Sequence, residues 1–122
     1  MEFTGICLVT DDVPALARFY AALTGAAAEG DDTHVELRGE GAGIALISTA
    51  GMEALAPGAM QGAGRGNCTF SFRVQDADAE YERVKALGAT LVKPLQTHPW
   101  GARSFWFRDP DGNIVSFYAV RG

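Results

Sequence analysis

Apolar and polar positions follow the same order twice along the chain, beginning with a predicted strand over residues 3–9. A stripe of apolar side chains at helical spacing then predicts a helix that ends at Gly25. The side chains of that stripe are Leu16, Phe19, Tyr20 and Leu23. Two further apolar runs, at 33–38 and 44–49, predict a hairpin around a glycine-rich turn.

The second half of the chain repeats this order of strand, helix and hairpin. The predicted elements are a strand, a helix, a second strand and the two strands of a hairpin, at residues 68–74, 76–87, 89–95, 103–108 and 113–120. Tyr81, Val84 and Leu87 form the predicted buried side of the helix. The two related halves predict an α+β protein built from two βαβββ modules with mixed sheets.

The glycine- and alanine-rich segment 50–66 shows neither strand alternation nor a long helical pattern. We interpret it as a linker between module 1 (1–49) and module 2 (67–122) of a single domain that spans residues 1–122. Such a linker could serve only to join the modules. Because it also carries Met52 and Met60, it could instead act as a mobile flap that adapts to a ligand.

Charge and cysteine content narrow the possible functions. The 122-residue chain has a net charge of −5 and no run of Lys or Arg, which argues against nucleic acid as a partner. No apolar run approaches the ~20 residues that cross a bilayer, and the first residues lack the features of a secretory signal. We therefore expect a cytoplasmic protein without a membrane partner. Cys7 and Cys68 are too few for a disulfide framework, and we expect both to be packing residues.

Three segments carry a family resemblance: 13–20 (VPALARFY), 99–103 (PWGAR) and the stretch 105–113, which ends in Asp-Pro-Asp-Gly-Asn. Together with the duplicated order of elements, they resemble the vicinal oxygen chelate superfamily. That superfamily includes glyoxalase I, extradiol dioxygenases, fosfomycin-resistance proteins and bleomycin-binding proteins. The resemblance implies a curved, mixed eight-stranded sheet that encloses a ligand cleft, usually completed by a homodimer.

In the metalloenzymes of that superfamily, His and Glu side chains from four strands hold a divalent ion at the centre of the cleft. The resemblance carries these positions onto Gly5, Leu46, Thr69 and Ser116, and a one-residue slip would replace Leu46 by Ala45. None of these side chains supplies the imidazole or carboxylate donors that a firm divalent site needs. We therefore expect no metal and no cofactor, which argues against glyoxalase or dioxygenase chemistry.

The predicted lining of the cleft depends on the register of the last hairpin. If residues 109–112 form a four-residue loop, strand alternation puts Phe105 opposite Ser116, on the cleft face. The same alternation points Trp106 toward the helices. The residues expected to contact a ligand are Gly5, Cys7, Leu46, Thr69, Ser71, Trp100, Arg103, Phe105, Phe107, Ser116 and Tyr118.

Several polar side chains leave alternatives open. His98 and Tyr118 are weak catalytic candidates, and a lone histidine such as His98 is more often a surface or hydrogen-bonding group than a catalytic or metal-binding one. Arg103 could clamp a ligand carboxylate or phosphate, or it could pair with a carboxylate of the protein itself. His34 and Glu36 alternate on one strand, and we expect both to lie in solvent, away from the cleft.

These observations favour metal-independent binding of an amphipathic, aromatic small molecule in the cleft of a homodimer, similar to the antibiotic-resistance branch of the superfamily. Trp100 would then be a rim residue that either stacks on a planar ligand or contacts the second copy. The alternative is a lyase, isomerase or oxidoreductase of the same superfamily with a displaced metal site. A third possibility is a subunit whose partner supplies the missing ligands.

Overall fold

The computed structural model describes residues 1–120, which form eight strands and three helices. In chain order the elements are β1 (Gly5–Thr10), α1 (Val13–Thr24), β2 (Ala27–Gly30), β3 (His34–Arg38), β4 (Gly43–Ser48), α2 (Thr49–Leu55), β5 (Thr69–Arg73), α3 (Ala77–Ala86), β6 (Thr90–Thr97), β7 (Ala102–Arg108) and β8 (Ile114–Val120). The last two residues of the predicted module 2 lie outside the described range. None of the helices in residues 1–120 has both the length and the apolar character needed to cross a membrane.

The chain divides into two compact units, Met1–Ala63 (unit 1) and Gly64–Gly122 (unit 2). Each unit holds a four-stranded sheet, with the strand order β1-β4-β3-β2 in unit 1 and β5-β8-β7-β6 in unit 2. In each sheet the first pair is parallel and the other pairs are antiparallel. The predicted α+β architecture of two βαβββ modules with mixed sheets is therefore confirmed.

Helix α1 covers one face of the unit 1 sheet with the apolar stripe that its sequence predicts. The Asp12 side chain caps the helix by accepting a hydrogen bond from the Ala15 backbone N–H at 3.0 Å. Gly25, at φ 73°, ends the helix in the left-handed conformation. The buried residues of the stripe are Leu16, Tyr20 and Leu23, whereas Phe19 is only half-buried.

Helix α3 covers one face of the unit 2 sheet and packs against it through Val84 and Tyr81. Val84 is fully buried, and the Tyr81 ring meets the Phe105 ring edge-on with centroids 5.0 Å apart. The prediction that Leu87 points inward is wrong. The helix ends at Ala86, and Leu87 is 47% exposed just beyond it.

The hydrophobic pattern of the sequence did not predict two short elements of unit 1, β2 and α2. All four residues of β2 are exposed at the edge of the sheet, so the strand shows no apolar alternation. Helix α2 lies inside the predicted linker, where the Ser48 side chain caps it by accepting from the Gly51 N–H at 2.9 Å. None of its seven residues is buried, so no apolar stripe marks it.

The predicted register of the last hairpin is wrong by one residue, because the loop has five residues instead of four. Arg108 pairs with Ile114, and the residues between them form the loop. Gly112 closes a tight turn by donating its N–H to the Asp109 carbonyl at 3.0 Å, and it adopts φ 88°. The Asp109 N–H then donates to the Asn113 carbonyl, so Gly112 and Asn113 together oppose Asp109 in a glycine bulge.

This extra residue turns each side chain of β7 to the face opposite the predicted one. Phe105 pairs with Phe117, and Phe107 shares their face, which α3 covers. Phe105 and Phe107 are fully buried there, so the prediction that they line the cleft is wrong. Trp106, which we expected to point toward the helices, pairs with Ser116 on the open face instead.

Strand pairing also moves one residue of unit 1 out of the predicted cleft. In the parallel pair β1–β4, Cys7 lies beside Ala45 and Leu8 lies beside Leu46. Leu46 is fully buried with Leu8 on the face that α1 covers. The prediction that Leu46 lines a cleft with Cys7 is therefore wrong, and Ala45 holds that place in the strand.

Candidate functional site

The open face of the unit 2 sheet carries a pocket with a volume of about 540 Å³. Its aromatic walls come from Trp100, Trp106 and Tyr118. Its polar groups are the side chains of Ser71, Lys93, His98, Ser104 and Ser116. Aromatic walls with a few polar groups are typical of sites for small organic molecules.

Strand pairing brings many of these side chains onto one face. Ser116 of β8 pairs with Ser71 of β5 on one side and with Trp106 of β7 on the other. Two residues along β8, Tyr118 pairs with Ser104. Because alternate residues of a strand point to the same face, these five side chains from three neighbouring strands meet in the pocket.

The turn between β6 and β7 supplies the rim of the pocket. The His98 N–H donates to the Ala102 carbonyl at 2.8 Å, and the Gly101 N–H donates to the His98 carbonyl at 2.9 Å. Within this turn the His98 ring stacks on the Trp100 ring, with centroids 4.4 Å apart and planes 2° from parallel. Trp100 is nevertheless 75% exposed, so much of its indole surface is open to a ligand.

Lys93, His98 and Ser104 form a hydrogen-bonded group in this pocket, which we call the Lys-His-Ser cluster. The Lys93 Nζ lies 3.0 Å from each of His98 Nε2, Ser104 Oγ and the Ser104 carbonyl oxygen. His98 Nε2 also lies 3.1 Å from Ser104 Oγ. Pro94, which has no N–H, follows Lys93, and the pairing of β6 with β7 shifts register there. The ladder resumes where Gln96 pairs with Ser104, and the Lys93 ammonium adds a side-chain hydrogen bond to the Ser104 carbonyl there.

Lys93 brings a positive charge into the pocket without a carboxylate partner. Among residues 1–120, no Asp or Glu lies within ion-pair distance of its ammonium, and none lines the pocket. Partial burial lowers the pKa of Lys93, because desolvation disfavours the charged form. The Nζ lies 5.4 Å from the centre of the Trp106 ring, whose π electrons attract the cation.

The structure brings together many of the residues that the sequence singled out. The members that line the unit 2 pocket are Ser71, His98, Trp100, Ser116 and Tyr118. Thr69 shares the face of Ser71 on β5 but does not line the pocket.

Arg103 lies on the other face of β7, so the prediction that it lines the cleft is wrong. Its guanidinium donates two hydrogen bonds of 2.9 Å to the Asp78 carboxylate and one of 3.0 Å to the Thr97 hydroxyl. The hydrogen bonds from Arg103 hold the pKa of the Asp78 carboxyl below its usual value. Of the two roles left open for Arg103, the structure favours pairing within the protein.

Sequence reasoning missed five residues that line the pocket: Ala102 and Val120, and the three with polar or aromatic side chains, Lys93, Ser104 and Trp106. Ser104 and Trp106 were missed because the one-residue shift of register turns them to the open face. Gly112 in the hairpin loop could have indicated this shift, because glycine at that position favours a bulge. For Lys93 the signal was weaker. It is the one charged residue of β6 and stands directly before Pro94, which cannot continue the backbone ladder.

Unit 1 has its own concavity of about 570 Å³, which Gly5 and Cys7 line together with Ala45 and Glu36. Glu36 is exposed, as predicted, but it lines this concavity, so the prediction that it lies away from the cleft is wrong. Partial burial raises the pKa of the Cys7 thiol, so its reactive thiolate form is disfavoured near neutral pH. Although the Cys7 thiol is partly covered, the Cys7 and Cys68 residues are both exposed as a whole, so the prediction that they are packing residues is wrong.

The positions matched to metal ligands do not suit a divalent ion. In unit 1 they are Gly5 and Leu46, and Ala45 takes the place of Leu46 on the strand face of Cys7; none of these side chains carries a donor. In unit 2 they are Thr69 and Ser116, whose neutral hydroxyls are weak ligands. Within residues 1–120, no three His, Cys, Asp or Glu side chains are grouped so that they could hold a metal ion.

Comparison with known proteins agrees with this architecture. A family model described as the Glyoxalase/Bleomycin resistance protein/Dioxygenase superfamily matches residues 3–117. The crystal structure of a glyoxalase/bleomycin resistance protein/dioxygenase from Nocardioides is similar at 26% identity and a TM-score of 0.80, covering 98% of this chain and 83% of that chain. A family enzyme from Burkholderia phytofirmans PsJN, at 17% identity, has a TM-score of 0.87 and covers 99% of this chain and 100% of that chain, which shows a likeness of fold.

A curated protein sequence gives a shorter match. The uncharacterized protein YraH of Bacillus subtilis (strain 168) is 31% identical over 62 residues. The matched part is 50% of this chain and 48% of that protein, so the match spans about half the length of the relative.

Proposed function

The chain belongs to the glyoxalase/bleomycin resistance protein/dioxygenase superfamily, and we propose that it binds an amphipathic, aromatic small molecule without a metal ion. The observation that carries this proposal is the unit 2 pocket, in which aromatic walls surround a few polar groups. Sequestering such a molecule, as in resistance to an antibiotic or a toxic metabolite, requires binding but no chemical step.

The aromatic surfaces support a planar ligand. Both tryptophans of the chain line this one pocket. Trp100 is 75% exposed and Trp106 is 36% exposed, so both indoles are accessible. An aromatic pair contributes roughly 0.5–1.5 kcal/mol beyond the burial of apolar area. Two accessible indoles beside Tyr118 therefore suit a ring system better than a flexible aliphatic chain.

Donor chemistry supports binding without a metal. The family's ligand positions hold no imidazole or carboxylate here, and among the residues that line the pocket His98 has the one imidazole. Its Nε2 already lies within hydrogen-bonding distance of Lys93 and Ser104. An enzyme with a displaced metal site, the competing hypothesis, would need additional ligands beside His98.

A homodimer and a cytoplasmic location without nucleic-acid or membrane partners stay predictions. The exposed indole of Trp100 supports the first, because large exposed apolar groups often lie in contact surfaces. The acidic net charge of −5 supports the absence of nucleic acid as a partner.

We expect the neutral aromatic dye N-phenylnaphthylamine (NPN) to bind the protein in the presence of a chelator. Because Trp100 and Trp106 line the pocket, binding should quench tryptophan emission as the dye becomes fluorescent. Trp106→Ala should weaken NPN binding about tenfold, since the loss of one stacked ring costs on the order of 1.4 kcal/mol. A fluorescence titration gives both dissociation constants.

Arg103→Ala is the matched control, because Arg103 lies on the same strand but on the opposite face. It should bind NPN as the wild type does. Equal NPN binding by the wild type and Trp106→Ala would show that the dye does not bind in the unit 2 pocket and would contradict the proposal. Binding that begins only when Ni, Zn, Mn, Fe(II) or Co is added would contradict metal independence and favour the enzyme with a displaced metal site.

A further inference from the structure

We propose that the Lys-His-Ser cluster recognises the oxyanion of an aromatic acid, such as a carboxylate or sulfonate attached to a planar ring. This inference rests on the proposed binding function and adds the charge of the ligand to it. The cluster lies in the same pocket as the two indoles. One ligand can therefore stack on an indole while its anionic group meets Lys93.

The charge of the pocket favours an anion. The chain has a net charge of −5 and only two lysines, yet one of them lines this pocket. Lys85, on α3, pairs with Glu82 at 2.9 Å, whereas no carboxylate of residues 1–120 lies within ion-pair distance of Lys93. A partly buried cation without a counter-ion is costly, and a bound anion would offset that cost.

The hydrogen bonds of the cluster leave a donor free for a ligand. The three hydrogens of the Lys93 ammonium face the Ser104 carbonyl, Ser104 Oγ and His98 Nε2. The Ser104 hydroxyl also approaches His98 Nε2, at 3.1 Å. His98 Nε2 accepts one hydrogen bond in one tautomer and donates one in the other, so in neither case can Lys93 and Ser104 both donate to it. The remaining hydrogen needs an acceptor, and an oxyanion binds such a donor most strongly.

The position of the cluster matches the shape of an aromatic acid. His98 belongs to the cluster through Nε2, and its ring stacks on Trp100 with centroids 4.4 Å apart. On the other side, the Trp106 ring centre lies 5.4 Å from the Lys93 Nζ. Both indoles therefore lie next to the Lys93 ammonium. A small ligand whose aromatic ring carries an acid group can contact an indole with the ring and the ammonium with the acid group.

Two dyes that share a ring system test this inference. Anilinonaphthalenesulfonate (ANS) differs from NPN by its sulfonate, so the ratio of their dissociation constants isolates the contribution of the charge. We expect wild type to bind ANS more tightly than NPN. Lys93→Met should raise the ratio of the ANS dissociation constant to the NPN dissociation constant about tenfold, because only ANS has an oxyanion to lose a charge-assisted hydrogen bond. Lys85→Met removes the same charge outside the pocket and should leave both dyes unaffected.

The outcomes separate this inference from the proposed function. If neither dye binds wild type, the proposed function itself fails. If both dyes bind but Lys93→Met weakens them equally, or Lys85→Met weakens ANS as much as Lys93→Met does, the oxyanion site is wrong and the aromatic pocket stands. If Lys93→Met does not fold, a competition experiment on the wild-type protein tests the inference without any variant. Naphthoate should displace NPN at about tenfold lower concentration than naphthamide, and equal potency would overturn the inference.

Discussion

Phe105→Ala should destabilise the protein by about 3–5 kcal/mol. Phe105 is fully buried, and its ring lies 5.0 Å from that of Tyr81, 5.6 Å from that of Phe107 and 5.7 Å from that of Phe117. The substitution removes this apolar area and leaves a cavity that the surrounding rings cannot fill without moving. Denaturant unfolding followed by far-UV circular dichroism measures the change in unfolding free energy.

Trp106→Ala is the matched control, because it changes the next residue of β7, on the opposite face. Trp106 is 36% exposed on the open side of the sheet, so its loss should cost less than about 1.5 kcal/mol. In the register that the sequence predicted, Trp106 would be buried against the helix and Phe105 would be open. A larger loss of stability for Trp106→Ala than for Phe105→Ala would therefore contradict the five-residue loop.

Asp109→Ala should cost about 3 kcal/mol, because the Asp109 carboxylate organises the hairpin loop from a buried position. Its Oδ1 accepts hydrogen bonds from the Asp111 and Asn113 backbone N–H groups, and its Oδ2 accepts one from Asn113 Nδ2, all at 2.9 Å. Alanine leaves the buried Asn113 amide without this acceptor, and hydrogen bonds to charged groups contribute roughly 1.5–3 kcal/mol each. Urea unfolding monitored by tryptophan emission measures the loss.

Asp111→Ala tests whether any acidic residue of this loop would have the same effect. Asp111 takes part in these bonds through its backbone N–H, which alanine retains, so we expect a change within about 0.5 kcal/mol. If Asp109→Ala were as mild as Asp111→Ala, the turn at Gly112 would be sufficient to hold the register without the carboxylate.

The sequence predicted the two modules because their strands and helices bury apolar faces. It did not predict which face of β7 is buried, because both faces of that strand carry large aromatic side chains. Phe105 and Trp106 are both large aromatic residues on the same strand, so apolar alternation cannot tell which one points inward. A one-residue change of register exchanges the two faces of a strand. What decides the register is the hydrogen-bond pattern around Asp109 and the positive φ of Gly112, and neither follows from a pattern of hydrophobicity.

The sequence predicted those residues of the candidate site that lie in the turn before β7 or in strands whose faces were assigned correctly. Ser116 and Tyr118 of β8 and Trp100 of the turn were found in this way. Lys93 was not, because its contact with Ser104 depends on the irregular pairing of β6 with β7 around Pro94. Such an irregularity arises from two strands together, so the sequence of either strand alone does not reveal it.

The most direct test of metal-independent binding in the unit 2 pocket is heteronuclear NMR of the isotope-labelled protein, titrated with NPN in the presence of a chelator. Each tryptophan contributes one indole N–H signal, and both tryptophans line the pocket. We predict that both indole signals shift, together with the backbone signals of Ser104 and Ser116. Unchanged indole signals, with shifts confined to Gly5 and Cys7 in the unit 1 concavity or seen only after a divalent ion is added, would contradict the account.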